Sequence, residues 1–156
     1  ADNVTFVATA NIGNEYTATR QLDKALMDRF TVIEMDLLNQ EEEAGLLKYM
    51  FPSVDEHVLN DVASIADLTR VEALAENPRI SSGVSTRTSV EIAGLLFDGF
   101  SLLESADITI YPQYDSSGGV DSERTFVKQI VQKFVSDGSE EELFTEHDMD
   151  ESNNDY

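Results

Sequence analysis

Cysteine is absent, so disulfides, thiolate nucleophiles and thiolate metal sites are all excluded. That absence fits a reducing compartment. Basic residues are scarce: 10 Lys and Arg stand against 31 Asp and Glu, for a formal net charge of -21. A surface so negative repels phosphate backbones and anionic lipid, which argues against direct nucleic-acid binding and against membrane attachment. There is no apolar run long enough to span a bilayer and no signal-peptide pattern. The expected location is therefore cytoplasmic. Paired metal ligands are also missing: His57 and His147 stand far apart, so the expectation for metal is none. No Ser-His-Asp or Cys-His arrangement stands out.

What the chain does have is enough apolar residue, 41 %, over 156 residues to build a real core. Val4 to Ala10 reads VTFVATA, β-branched and apolar on both parities, which predicts a strand buried on both faces. A polar loop with Gly13 follows, then a helical segment Gln21 to Arg29 and a second short strand, TVIEM, over 31–35. Strand, loop, helix and strand make an α/β pattern. Two strands cannot form a doubly covered sheet, so the pattern implies further strands from another chain or from sequence before Ala1.

After Asp36 the pattern is helical. Asn39 caps a segment QEEEAGLLKYMF, acidic at its start as the helix dipole prefers. Ser53 with Glu56 reads as a capping box for a helix to about Glu76, with Val58, Val62, Ile65, Leu68 and Ala75 on its apolar face. Ser85 caps a third helix that Gly99 closes, Ser101 and Glu104 a shorter fourth, and Ser122 a fifth with Phe126 to Phe134. The expected organisation is an α/β piece over 1–38, a helical bundle over 39–135 and an acidic disordered tail over 136–156. The tail reads first as a solubilising segment, with Leu143 and Phe144 as a docking motif in second place. Asp115 to Glu123 alternates like a calcium loop, but Val120 stands where the loop needs Gly and Phe126 where it needs Glu.

Three polar residues have a chemical reading beside the bland one. Asn11, at a strand tip, caps or turns the chain, or it orients a water beside a phosphate. Arg29 is a surface arginine, or a cation reaching a neighbour's nucleotide. Arg87, in GVSTRTSVEIAGLL, falls in a helix's first turn, where the dipole disfavours a cation unless an anion compensates.

In order and spacing, these features resemble the second half of an AAA+ ATPase. The MoxR-like and dynein-related group fits best; it includes the ATPase subunit of cobaltochelatase and the CbbQ/NorQ activators. FVATAN resembles the sensor 1 strand with Asn11 at the sensor position, LDKALMDRF the segment ending in the arginine finger at Arg29, and VSTRT the sensor 2 motif at Arg87. The resemblance runs from about Val4 to Phe134.

It implies the end of a P-loop α/β core followed by a helical lid, in a homo-oligomeric ring with ATP between subunits. ATP and Mg²⁺ are the implied cofactors. Asn11, Arg29 and Arg87 are the implied catalytic and phosphate-contacting residues, and a remodelled protein client the implied partner. Metal insertion into a tetrapyrrole would follow if the resemblance extends to the cobaltochelatase subunit.

The sequence contains no G-x-x-x-x-G-K-[ST] and no strand ending in paired acids. The Mg²⁺ ligands are therefore not in this chain, which alone is expected to turn over no ATP. The alternative is a non-catalytic acidic module that binds basic partners; it explains the charge but not the order of Asn11, Arg29 and Arg87.

Overall fold

The structure, a computed structural model, describes residues 4–9 and 28–145, with burial described as far as 135. It divides into two compact units, residues 1–36 and 37–156. Every regular element among the described residues is helical: α1 Gln40–Met50, α2 Glu56–Ala73, α3 Thr86–Phe97, α4 Leu102–Thr109 and α5 Glu123–Thr145, with 3₁₀ turns at Tyr111–Gln113 and Gly119–Asp121.

Local chemistry sets most of the helix ends. The Asn39 side chain accepts from the Glu42 N–H at 2.9 Å, and Glu42 returns a bond to the Asn39 N–H, a complete capping box. Ser101 and Glu104 do the same for α4. At the start of α5 the Ser122 hydroxyl accepts from the Thr125 N–H at 3.2 Å. Gly99 ends α3 at φ 94, a left-handed conformation that glycine takes without steric cost, and Phe100 N–H reaches back to the Leu95 carbonyl at 3.0 Å.

The start of α2 departs from expectation. Its N-cap is Asp55, not Ser53, and the Asp55 carboxylate accepts from the His57 N–H at 2.8 Å. A turn closed by Val54 N–H on the Phe51 carbonyl, 3.1 Å, carries the chain past Ser53 before the helix begins. The helix also stops at Ala73, short of Glu76, with Leu74 as its C-cap, and the chain then folds back so that the Arg79 N–H donates to Glu72 Oε1 at 3.0 Å.

In the second unit α1 packs on α2, α2 on α3 and α5, and α4 on α3 and α5. The core they enclose holds Leu47, Leu59, Val62, Ile65, Ile92, Ala106, Ile110, Val127 and Val131. Two loop residues, Ile80 and Val84, are as deeply buried as any of these. The segment between α2 and α3 is thus part of the core. The α5 backbone continues as helix to Thr145, ten residues beyond Val135, where the acidic tail was expected to begin.

The expected fold class is corrected in the first unit. Neither 4–9 nor 31–35 forms a strand, and no sheet is present among the described residues, which therefore contain no α/β P-loop core. Phe6, Val7, Ile33 and Met35 are exposed, at 79, 88, 79 and 90 %. β-Branched and apolar composition makes a strand only when a neighbour completes the hydrogen-bond ladder, and no described residue supplies one. Among the described residues, no helix is long and apolar enough to cross a membrane.

Candidate functional site

Arg87 lies on the surface of the helical unit, in the first turn of α3. That turn contains no acidic residue, whereas the first turns of α1, α2, α4 and α5 all contain Glu. Carboxylates near a helix N-terminus are favoured by its dipole and a guanidinium is not. Among the described residues, no hydrogen bond or ion pair engages the Arg87 side chain.

The backbone that carries Arg87 is held firmly. Ser85 caps α3, its hydroxyl accepting from the Thr88 N–H at 3.2 Å. The Gln113 amide donates to the Thr88 hydroxyl at 3.2 Å, which ties the first turn of α3 to the 3₁₀ turn after α4. Upstream, the loop 79–84 is fixed from three sides. Arg79 makes a paired contact with Glu72, Nε to Oε1 at 3.0 Å and Nη2 to Oε2 at 2.9 Å, while its guanidinium carbon sits 3.7 Å from the centre of the Phe126 ring. The Arg79 side-chain bonds hold the Glu72 carboxyl below the usual range. Ser81 N–H donates to Glu123 at 2.7 Å, and the Tyr114 hydroxyl donates to the Ser82 carbonyl at 3.0 Å. Burial, helped by the charge of Glu123, pushes the Tyr114 phenol up to about 12.

Beneath this loop lies a buried ion pair. Glu43 of α1 is fully buried and Arg70 of α2 is 7 % exposed. Arg70 Nη1 donates to Glu43 Oε2 at 2.6 Å and Nη2 to Oε1 at 3.0 Å. The remaining donors reach the Val84 carbonyl at 2.8 Å, the Leu38 carbonyl at 2.9 Å and the Thr86 hydroxyl at 3.4 Å. A guanidinium has five N–H groups, and all five find acceptors. The Thr86 hydroxyl in turn donates to Glu43 Oε2 at 3.1 Å. One buried cation therefore ties together α1, α2, the start of α3 and the chain at Leu38. Gly83 makes this possible by its lack of a side chain: a Cβ there would meet Arg70 Cα at 2.6 Å.

The other expected site residues fall elsewhere. Asn11 and the segment 21–27 lie outside the described residues. Arg29 is exposed in a turn over 28–30, in the first unit. Of the three, Arg87 alone belongs to the helical unit. The Glu43–Arg70 network was not foreseen. Glu43 looked like one more dipole-matching acid in a run of three, and its partner lies 27 residues away. The available signal was Arg70 itself, a charge set among Leu68, Thr69 and Val71.

No protein-family profile matches the chain. A curated protein of Thauera aromatica, "Putative chaperone BssE", is 34 % identical over 105 residues, which is 67 % of this chain and 35 % of that protein. The chain thus spans about a third of the relative it matches.

Proposed function

We propose that the helical unit is the lid of a larger ring-forming ATPase of the AAA+ type, which uses ATP and Mg²⁺ to remodel a protein partner. The observation that carries this reading is Arg87: an exposed arginine in a helix's first turn, where the dipole opposes it, on backbone anchored by buried bonds. Such a group pays its electrostatic cost back when a phosphate docks against it. Asn11 and Arg29 are part of the same proposal, the first orienting water and the second reaching the neighbouring subunit's nucleotide. The phosphate loop and the Mg²⁺ ligands belong to other parts of the longer protein. The relative's name, a chaperone, supports a protein client.

The test is ATP turnover by the protein that carries this chain, with Arg87→Ala beside the wild type. The expected result is turnover that falls at least about tenfold in the variant, since a lost charge-stabilising group typically costs that much or more. Its melting temperature should be unchanged, because an exposed side chain with no hydrogen bond or ion pair contributes under about 0.5 kcal/mol. No turnover, or turnover indifferent to Arg87, overturns the proposal.

A further inference from the structure

The outer face of α2 has two halves of different character. Positions 60, 64, 67, 71 and 74 follow one another at helical spacing and share one stripe. At the N-terminal end the stripe is polar: Asn60 and Asp67 line an open depression of about 460 Å³, whose other wall is Asn39, Gln40 and Glu41 at the start of α1. The Gln40 amide donates to the Ser64 hydroxyl at 2.6 Å, which joins this wall to α2. At the C-terminal end the stripe is apolar: Val71 is 61 % exposed and Leu74 87 %, with Leu68 beside them at 41 %. These side chains contribute nothing to the core, which α2 meets with Leu59, Val62, Ile65 and Ala66.

We infer that this stripe is a docking surface for a basic amphipathic helix of a partner protein. Charge complementarity selects the occupant. The depression presents the carboxylates of Glu41 and Asp67 with no Lys or Arg on its lining, in a chain of net charge -21. An acidic partner would set like charges against those carboxylates, and a neutral one would cover them without a counter-charge. The geometry sets the spacing of the partner's groups. Asp67 and Leu74 lie two turns apart, about 10 Å at roughly 1.5 Å per residue. The partner helix therefore carries Lys or Arg about two turns from a pair of apolar anchors. The whole stripe from Asn60 to Leu74 is about 21 Å long by the same rise, which about fourteen residues of helix would cover. Arg87 is not among the residues of the stripe or of the depression's lining.

The experiment is titration calorimetry of the full chain with two synthetic 16-residue helical peptides of one composition. In the first, two lysines lie two turns from two leucines; in the second, lysine and leucine are interspersed. The ordered peptide is expected to bind at least about tenfold tighter, as for a contact with a real anchor. That advantage should vanish in Val71→Asp/Leu74→Asp, whose sites are already in water, and in Asp67→Lys. Equal binding of the two peptides would mean attraction by net charge alone and overturns the inference. So does an ordered-peptide affinity indifferent to these substitutions. A dimer of the free chain that Val71→Asp/Leu74→Asp dissolves overturns it too, because the occupant is then a second copy.

Discussion

Glu43 and Arg70 meet through two parallel bonds of 2.6 and 3.0 Å, and neither reaches solvent to any useful degree. A buried pair of this kind recovers the large cost of removing two charges from water only when its geometry is good and its remaining donors are satisfied. Both conditions hold here, since the guanidinium also serves the Val84, Leu38 and Thr86 oxygens.

Removing one partner is therefore far worse than removing both. Glu43→Leu leaves a buried cation with no counter-charge and is expected to cost about 3–5 kcal/mol. The apolar double replacement Glu43→Leu/Arg70→Met should cost much less than the sum of the two single changes, though not zero, because the Val84 and Leu38 carbonyls lose their donor. Urea unfolding of the four proteins measures the coupling. Additive losses would show that the pair does not act as a unit.

Gly83 is required by proximity and not by backbone conformation. A methyl group there would lie 2.6 Å from Arg70 Cα and 2.8 Å from its nitrogen, both backbone atoms that cannot swing aside. Gly83→Ala should destabilise by about 1–3 kcal/mol. Gly45, where a Cβ would meet nothing within 4 Å, provides the control. Because Gly45 is inside α1, alanine there should be neutral or stabilising by up to about 1 kcal/mol. Equal melting temperatures for the two variants would refute this account.

Tyr114 makes stability fall at alkaline pH. Its phenol is pushed from an ordinary value of 10.0 up to about 12, first by burial and then by Glu123. A raised folded value means the unfolded chain loses its proton first. The contribution is complete below pH 10, and it disappears as pH climbs towards 12. Tyr111, pushed up to about 12 by burial and by Asp107, adds to the same decline. Tyr114→Phe should cost about 1 kcal/mol at neutral pH, for the lost bond to the Ser82 carbonyl. It should also flatten the decline above pH 10. Thermal melts from pH 8 to 11.5 test both halves, and an unchanged alkaline slope would contradict the assignment.

Much of the helical unit was legible because its signals are local. Asn39, Ser85, Ser101 and Ser122 bond within their own first turns, and Gly99 acts within its own C-terminus. The errors occurred where a distant partner decides. Leu68 fits the apolar period of α2 yet is 41 % exposed, while Arg70, two residues on, is buried by a carboxylate from another helix. Periodicity ranks residues by their own chemistry and cannot see that partner. The segments 4–9 and 31–35 show the same limit, since strand-like composition does not supply a second strand. Of the candidate site, the exposed arginine at the head of α3 was readable, and the buried network that fixes its backbone was not.

The loop 79–84 joins α2 to α3, but Ser81 is held by Glu123, 42 residues further along, and Ser82 by Tyr114, 32 residues on. Contacts that span so much chain carry a larger closure entropy than those within the α1–α2 pair, and they are expected to form after it. Their energy is then absent at the folding barrier and present in the native state. Weakening them with Tyr114→Phe or Glu123→Ala, which remove the donor and the acceptor, should leave the refolding rate nearly unaltered and speed unfolding. The clasp would then set how long a folded molecule lasts, more than how quickly one is made.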